Sequence, residues 1–163
     1  MAERGRAAVG SVVFFVLAPG TTAGLVPWLI TRWRGDARSW AQALGAVVTL
    51  AGTLLVVAAF VQFVVEGRGT PAPVAPTETL VVGGLYRWVR NPMYVGVAGA
   101  IAGQAVWFAS AGVALWFVAF VAAVTTFVVL YEEPTLRSTY GAAYDEYAAA
   151  VHRWVPRLRP WRP

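Results

Sequence analysis

Charged residues leave three long stretches of the chain without any charge: 7–31, 39–65 and 91–131. A helix rises about 1.5 Å per residue and a bilayer's hydrocarbon core is about 30 Å thick, so roughly 20 residues cross it once. The first two stretches each have the length of one crossing. As one straight helix the third would reach roughly 60 Å, twice the core, so it must fold back on itself. The turn is expected near Ser110–Gly112, where small residues interrupt the apolar run. The pattern predicts an all-α integral membrane protein with four transmembrane helices, both termini on one side, in a single domain covering 1–163.

Within that frame, residues 1–65 form two scaffold helices. Pro19-Gly20 predicts a kink in the first, and the Gly20/Gly24 spacing predicts close approach of another helix. The second has only Gln42, Thr49, Thr53 and Gln62 as polar interruptions. Residues 66–163 supply a loop, a helical hairpin and a tail. Pro71, Pro73 and Pro76 keep the start of the loop extended, and Gly83-Gly84 allows a sharp turn before LYRWVRNPMYVG. Pro92 suits a first helical turn. Gly96, Gly99 and Gly103 predict tight packing of the third helix on the fourth. Beyond Glu132-Glu133-Pro134, residues Leu136, Tyr140, Tyr144, Tyr147 and Val151 share one helical face, which predicts an amphipathic tail helix lying on the membrane, aromatic side down. The ending VPRLRPWRP reads as a basic, tryptophan-bearing interface anchor.

Composition agrees, with 58% hydrophobic and 13% charged residues. All thirteen basic residues are arginine, and ten of them fall before the first helix, between the second and third, or after the fourth. Only Arg32, Arg34 and Arg38 lie in the first loop. The positive-inside bias therefore puts the termini and the 66–90 segment in the cytoplasm. The net charge of +5 reflects topology and attraction to anionic headgroups, not a nucleic-acid surface. Arg4 and Arg6 before an apolar run could open a secretory signal, but the run continues through Ile30, so a retained anchor is expected.

Chemistry is narrowed by what the chain lacks. With no cysteine there is no thiolate nucleophile or thiolate metal site, and the single histidine, His152, cannot build a metal cluster. No Gly-rich dinucleotide fingerprint or phosphate loop is present. Two clusters remain at the expected cytoplasmic rim: YRWVRNPMY (86–94) entering the third helix and Glu132-Glu133 leaving the fourth. Ionisable residues at a membrane boundary are costly unless they pair or face a polar cavity. The cluster is either a pocket or a set of interface anchors, and composition leaves both open.

GLYRWVRNPMYVG, followed some forty residues later by EEPTL and then YGAAYDEYAAAVHRWVPRL, resembles the isoprenylcysteine carboxyl methyltransferase family, within the wider group of membrane methyltransferases that includes the phospholipid N-methyltransferases. The resemblance runs from Glu66 to Trp161. It implies S-adenosylmethionine as cofactor, held between the hairpin and the tail and sealed from water. Carried over by position, Glu78, Thr79, Leu80, Val81 and Tyr86 line the cofactor site, and Asn91, Pro92, Met93 and Tyr94 hold it at the helix start. Glu132 or Glu133 meets its amino group or sulfonium side. Arg90 suits the cofactor's carboxylate, and the Tyr94 face its sulfonium. A lipophilic acceptor enters from the bilayer, and a closed pocket aligns the transfer and excludes water. No catalytic base is identified.

Two departures from the family pattern bear on this. Asn91 stands where histidine is usual, which keeps a hydrogen-bonding group but removes a titratable one. Residues 125–131 hold no arginine to meet a substrate carboxylate, which counts against a prenylcysteine acceptor. The rival readings are a membrane oxidoreductase of the sterol-reductase type, whose nicotinamide cofactor would need more arginines than Arg87 and Arg90, and a non-catalytic membrane protein.

Overall fold

The structure, a computed structural model, describes residues 17–67 and 80–162. Glu78 and Thr79, with most of the proline-rich connection and the start of the first predicted helix, lie outside the described residues. All regular structure among the described residues is helical. A wide π turn, Gly20–Leu25, leads into α1 (Val26–Thr31), followed by α2 (Ser39–Gly67) and a 3-10 turn (Gly84–Arg87). Then come α3 (Pro92–Trp107), α4 (Ala111–Phe127), a second π turn (Val128–Glu132), α5 (Glu133–Tyr140) and α6 (Ala142–Ala150).

Among the described residues, two helical runs are long and apolar enough to cross a membrane, Ser39–Phe63 and Ala111–Tyr140. Only 22% and 17% of their apolar windows are buried, so most of each faces outward, unlike a soluble core helix. Leu44, Leu50 and Leu54 of α2 and Leu115 and Val118 of α4 are all exposed. α3, with 16 residues, reaches about 24 Å.

Both π turns have one local cause. In each, the N–H that closes the turn bonds five residues back, Val26 to Thr21 and Glu133 to Val128, and a proline follows at once, Pro27 or Pro134. Proline has no N–H and its ring crowds the carbonyl four residues earlier, so a widened turn lets the helix continue past it. The irregularity expected at Pro19-Gly20 thus belongs to Pro27. The fourth helix does not stop at Tyr131 as the charge pattern suggested. It runs on as helix to Tyr140, with Glu132 and Glu133 inside the run. The hairpin turn sits at Phe108–Ser110, slightly ahead of its expected place, with Ala109 at φ 47°.

The described residues group into two compact units, 58–67 with 80–92 and 126–162, and 17–57 with 93–125. The second unit has an apolar core of Val56, Val97, Ile101, Val113 and Phe120. Its helices α2 and α3 meet along a seam of small residues: a Cβ on Gly52 would stand 2.5 Å from Ala100 N and 2.6 Å from Gly96 O, and one on Gly103 2.5 Å from Thr49 N. The glycines of α3 therefore pack against α2, not against α4 as the hairpin reading had it. The apolar seam needs glycine at both faces, and α2 supplies Gly45 and Gly52. Gly20 and Gly24 have nothing within 4 Å of a Cβ, so that spacing mediates no close approach among the described residues. In the first unit the core is Val81, Tyr86, Tyr144, Tyr147 and Val151, flanked by Leu80, Leu136, Tyr140 and Trp161.

Candidate functional site

The first unit gathers most of the polar residues that the sequence marks. It is built from the turn after Leu80. Gly84 has φ +42°, and the Gln62 side chain occupies the space a Cβ would need. Only glycine takes that backbone without strain. Gln62 Oε1 accepts the Leu85 N–H at 2.8 Å, which fixes the 3-10 turn and directs Tyr86 inward, 6% exposed.

The tail closes on this turn. Tyr147 donates its hydroxyl to Tyr86 O at 2.7 Å. Arg90 N donates to His152 O at 2.9 Å, Arg157 N to Trp88 O at 2.8 Å, and Trp161 N to Arg87 O at 2.9 Å. Arg87 Nε returns a bond to Trp161 O at 2.5 Å, Asn91 Nδ2 donates to Arg153 O at 3.2 Å, and Arg157 Nη1 bonds Ala150 O. The segment 86–91 and the tail 147–161 thus satisfy each other's backbone groups, as buried chain must.

Beside this clasp lies the charged centre. Glu133, 8% exposed, accepts a bidentate pair from Arg153, Nε at 2.6 Å and Nη2 at 2.8 Å, while Arg90 Nη1 sits 3.2 Å from its Oε1. Arg90 Nη1 also donates to Tyr144 OH at 3.3 Å. Arg90 Nε is buried and has no hydrogen-bond partner among the described residues. The hydrogen bonds Arg153 donates to Glu133 raise its pKa above the ordinary value. Burial pushes the Tyr144 and Tyr147 hydroxyls up, so both keep their protons at physiological pH, Tyr147 donating to Tyr86 O and Tyr144 accepting from Arg90.

Of the residues expected at a cofactor site, Leu80, Val81, Tyr86, Arg90, Asn91, Pro92, Glu132 and Glu133 fall in this unit. Met93 and Tyr94, on the first turn of α3, belong to the second unit and are half-buried there. Glu78 and Thr79 are outside the described residues. The tail departs from its expected form in two ways. Gly141, at φ 55°, breaks it into α5 and α6 where the spacing predicted one helix. Its aromatic stripe packs against protein, with Tyr144 2% and Tyr147 3% exposed beside Val81 and Tyr86. The stripe found a partner in its own chain before any lipid.

Sequence reasoning missed Arg153 and Tyr144 as partners of Glu133 and Arg90. Arg153 was counted only among the arginines after the fourth helix, because nothing along the chain links it to a glutamate twenty positions earlier. The signal for Tyr144 was its place on the stripe.

What the centre can do follows from its donors and acceptors. Both oxygens of Glu133 are taken by arginines, so it fastens the tail to the helix. Arg90 keeps an uncommitted buried N–H, which fits an anionic group such as a carboxylate. Comparison with known proteins gives one family: the phospholipid methyltransferase model matches residues 40–143. The match covers more than half of the chain, from α2 through the Tyr86–Tyr94 segment and the glutamate pair, and ends just before Tyr144. No curated protein matches the chain.

Proposed function

The chain belongs to the phospholipid methyltransferase family, and on that premise we propose that it transfers a methyl group from S-adenosylmethionine to a lipophilic acceptor at the cytoplasmic face of a membrane. S-adenosylmethionine supplies the electrophilic methyl group. The chain's own part is to bind and orient it and to keep water out. The observation that carries this reading is the buried Arg90 with an uncommitted Nε–H beside Asn91 and the glutamate pair, inside the matched region. Arg90 takes the cofactor's carboxylate. Of the glutamate pair, Glu132, half-buried in the second π turn, is the acid assigned to the cofactor's ammonium, and Glu133 is assigned to fastening the tail through Arg153 and Arg90. Leu80, Val81, Tyr86 and Pro92 furnish apolar walls, and the tail clasp excludes solvent.

The sidedness assumes four crossings: the charge-free stretch 7–31, the two long helices and the α3 arm of the hairpin. Ten of thirteen arginines then lie on the cytoplasmic side. The short α5 and α6 lie at that interface. The acceptor class is lipid-like, an aminolipid or a prenyl-type lipid, reached sideways from the bilayer.

Calorimetric titration of purified protein in nanodiscs tests this. Wild type is expected to bind both S-adenosylmethionine and S-adenosylhomocysteine, since both carry the carboxylate and the ammonium. Glu132→Gln should lower affinity for both by about 2 to 5 kcal/mol, and Arg90→Gln should do likewise. Binding of NADPH with no binding of either sulfur ligand would instead support the reductase reading, and binding of none the non-catalytic one.

A further inference from the structure

The second unit holds a cavity of 480 Å³, whose lining includes Trp33, Thr49, Thr53, Gln104, Trp107 and Phe108 and no charged side chain. Small-molecule sites commonly measure roughly 300 to 1,000 Å³. Its aromatic wall is ordered: Trp107 and Phe108 stack at 5.6 Å, and Trp33 stands 5.7 Å from Phe108.

The polar groups of this cavity are one-sided. Gln104 is 4% exposed, and its Nε2 donates to Ala23 O at 2.7 Å and to Ala100 O at 3.2 Å, which uses both amide hydrogens. Its Oε1 is buried and has no hydrogen-bond partner among the described residues. Thr49 and Thr53 give their hydroxyl hydrogens to Gly45 O at 2.7 Å and Thr49 O at 2.8 Å, so their oxygens remain only as acceptors. Three lining side chains therefore offer acceptors and no donor. A buried carbonyl left without a donor is costly, and it asks for a ligand that brings one.

We propose that this cavity binds an uncharged lipophilic alcohol, whose hydroxyl donates to Gln104 Oε1 while its apolar body lies against Trp33, Trp107 and Phe108. An ammonium would also donate, but no carboxylate lines the cavity to compensate a buried cation. A phosphate-bearing headgroup would bring acceptors where acceptors already stand. The site is separate in composition from the Arg90 centre, so it stands or falls independently of methyl transfer.

The test uses the full chain in phosphatidylcholine nanodiscs and two photoactivatable probes: a diazirine-bearing dodecanol and its methyl ether, which keeps the oxygen but lacks the donor. Labelled positions are mapped by mass spectrometry. The alcohol is expected to label peptides containing Trp33 and Trp107-Phe108 about tenfold more than the ether, the ratio one lost hydrogen bond gives. Gln104→Leu, which removes the carbonyl at similar volume, should erase that preference. Thr53→Phe, at an exposed lining position where added bulk disturbs no packing, should suppress labelling by the alcohol. Should Gln104→Leu fail to fold, Thr53→Phe and the probe pair decide alone. Equal labelling by alcohol and ether in wild type, or labelling spread evenly along the outward face of Ser39–Phe63, overturns the proposal, as does alcohol labelling that Thr53→Phe leaves intact.

Discussion

The two units keep their shape by different means. In 17–57 with 93–125 the fully buried core cluster is aliphatic and phenyl, with Gln104 a buried polar side chain of the same unit, and helices α2 and α3 touch backbone to backbone through Gly52, Gly96 and Gly103. In 58–67 with 80–92 and 126–162 the core is led by three tyrosines, and a buried carboxylate holds two arginines beside it. In lipid, burying apolar surface between helices gains little, because the tails are as apolar as leucine. Close van der Waals fit must carry the first kind of contact. Where the chain turns polar, satisfied hydrogen bonds take over. The first kind should fail under added volume, the second under lost partners.

The largest effect is expected where volume meets backbone. Gly52→Val would force a branched side chain against Ala100 N and Gly96 O, atoms that cannot rotate away. A loss of at least about 3 kcal/mol is expected, the upper end of overpacking, seen as a collapsed yield of monodisperse protein and an early thermal midpoint in detergent. Next comes the charged centre. Glu133→Gln leaves Arg90, its side chain 12% exposed, facing a neutral amide. Breaking a buried pair costs about 3 to 5 kcal/mol, and because Arg153 is one-third exposed the expected loss is nearer about 2 to 3 kcal/mol. The same variant should bring faster hydrogen exchange through 151–161, a readout that Gly52→Val has no reason to share. A Glu133→Gln protein as stable as wild type would overturn the fastening role.

These two cases also show what a sequence can and cannot reveal. The α2 and α4 runs were legible because a long charge-free stretch has few alternatives. The α3 glycines were legible as a packing face, but not their partner, since small-residue spacing names a surface and not what covers it. The tyrosine stripe was legible as one apolar face, and its burial against Val81 and Tyr86 was not, because lipid and protein core select the same side chains. In the candidate site, Arg90, Asn91 and the glutamates were marked by their motif. Arg153 was invisible because its pairing with Glu133 depends on the bend at Gly141 and the exit of the tail after Val151.

A smaller effect belongs to Tyr147. Tyr147→Phe keeps the ring against Trp161, 5.5 Å away, and removes only the bond to Tyr86 O, so about 1 kcal/mol should be lost at neutral pH. The pH dependence gives a cleaner signature. Burial raises the Tyr147 pKa above its ordinary value of 10.0, so the folded state retains a proton that the unfolded chain releases. The stability this group contributes is fully present below pH 10 and falls as pH rises through and above it, by up to about 1.4 kcal/mol per pH unit. Denaturant midpoints measured from pH 8 to 11 should decline more gently in Tyr147→Phe. Tyr144, raised by the same cause, keeps part of the slope in that variant. An unchanged slope would mean that the hydroxyl is open to solvent.

The smallest expected effect isolates what makes the Glu133 centre matter. Arg137 Nε lies 2.6 Å from Asp145 Oδ1, the same separation as Arg153 Nε from Glu133 Oε1. By distance alone the two pairs are equal. They differ in solvent: the Arg137 and Asp145 side chains are 53% and 55% exposed, while Glu133 is 11% exposed. Water already solvates both charges of the outer pair, and ions within about 10 Å screen what attraction remains at ordinary salt. An arginine stays charged across the accessible pH range, so titration of Arg137 adds no stability to this pair. Asp145→Asn is therefore expected to leave the thermal midpoint within measurement scatter and insensitive to added salt, whereas the Glu133→Gln loss should persist in high salt because that pair is shielded from mobile ions. If Asp145→Asn destabilised the protein as much as Glu133→Gln, burial would not be what separates the two pairs, and the tail would be held from its α5–α6 bend as well as from the Arg90 centre.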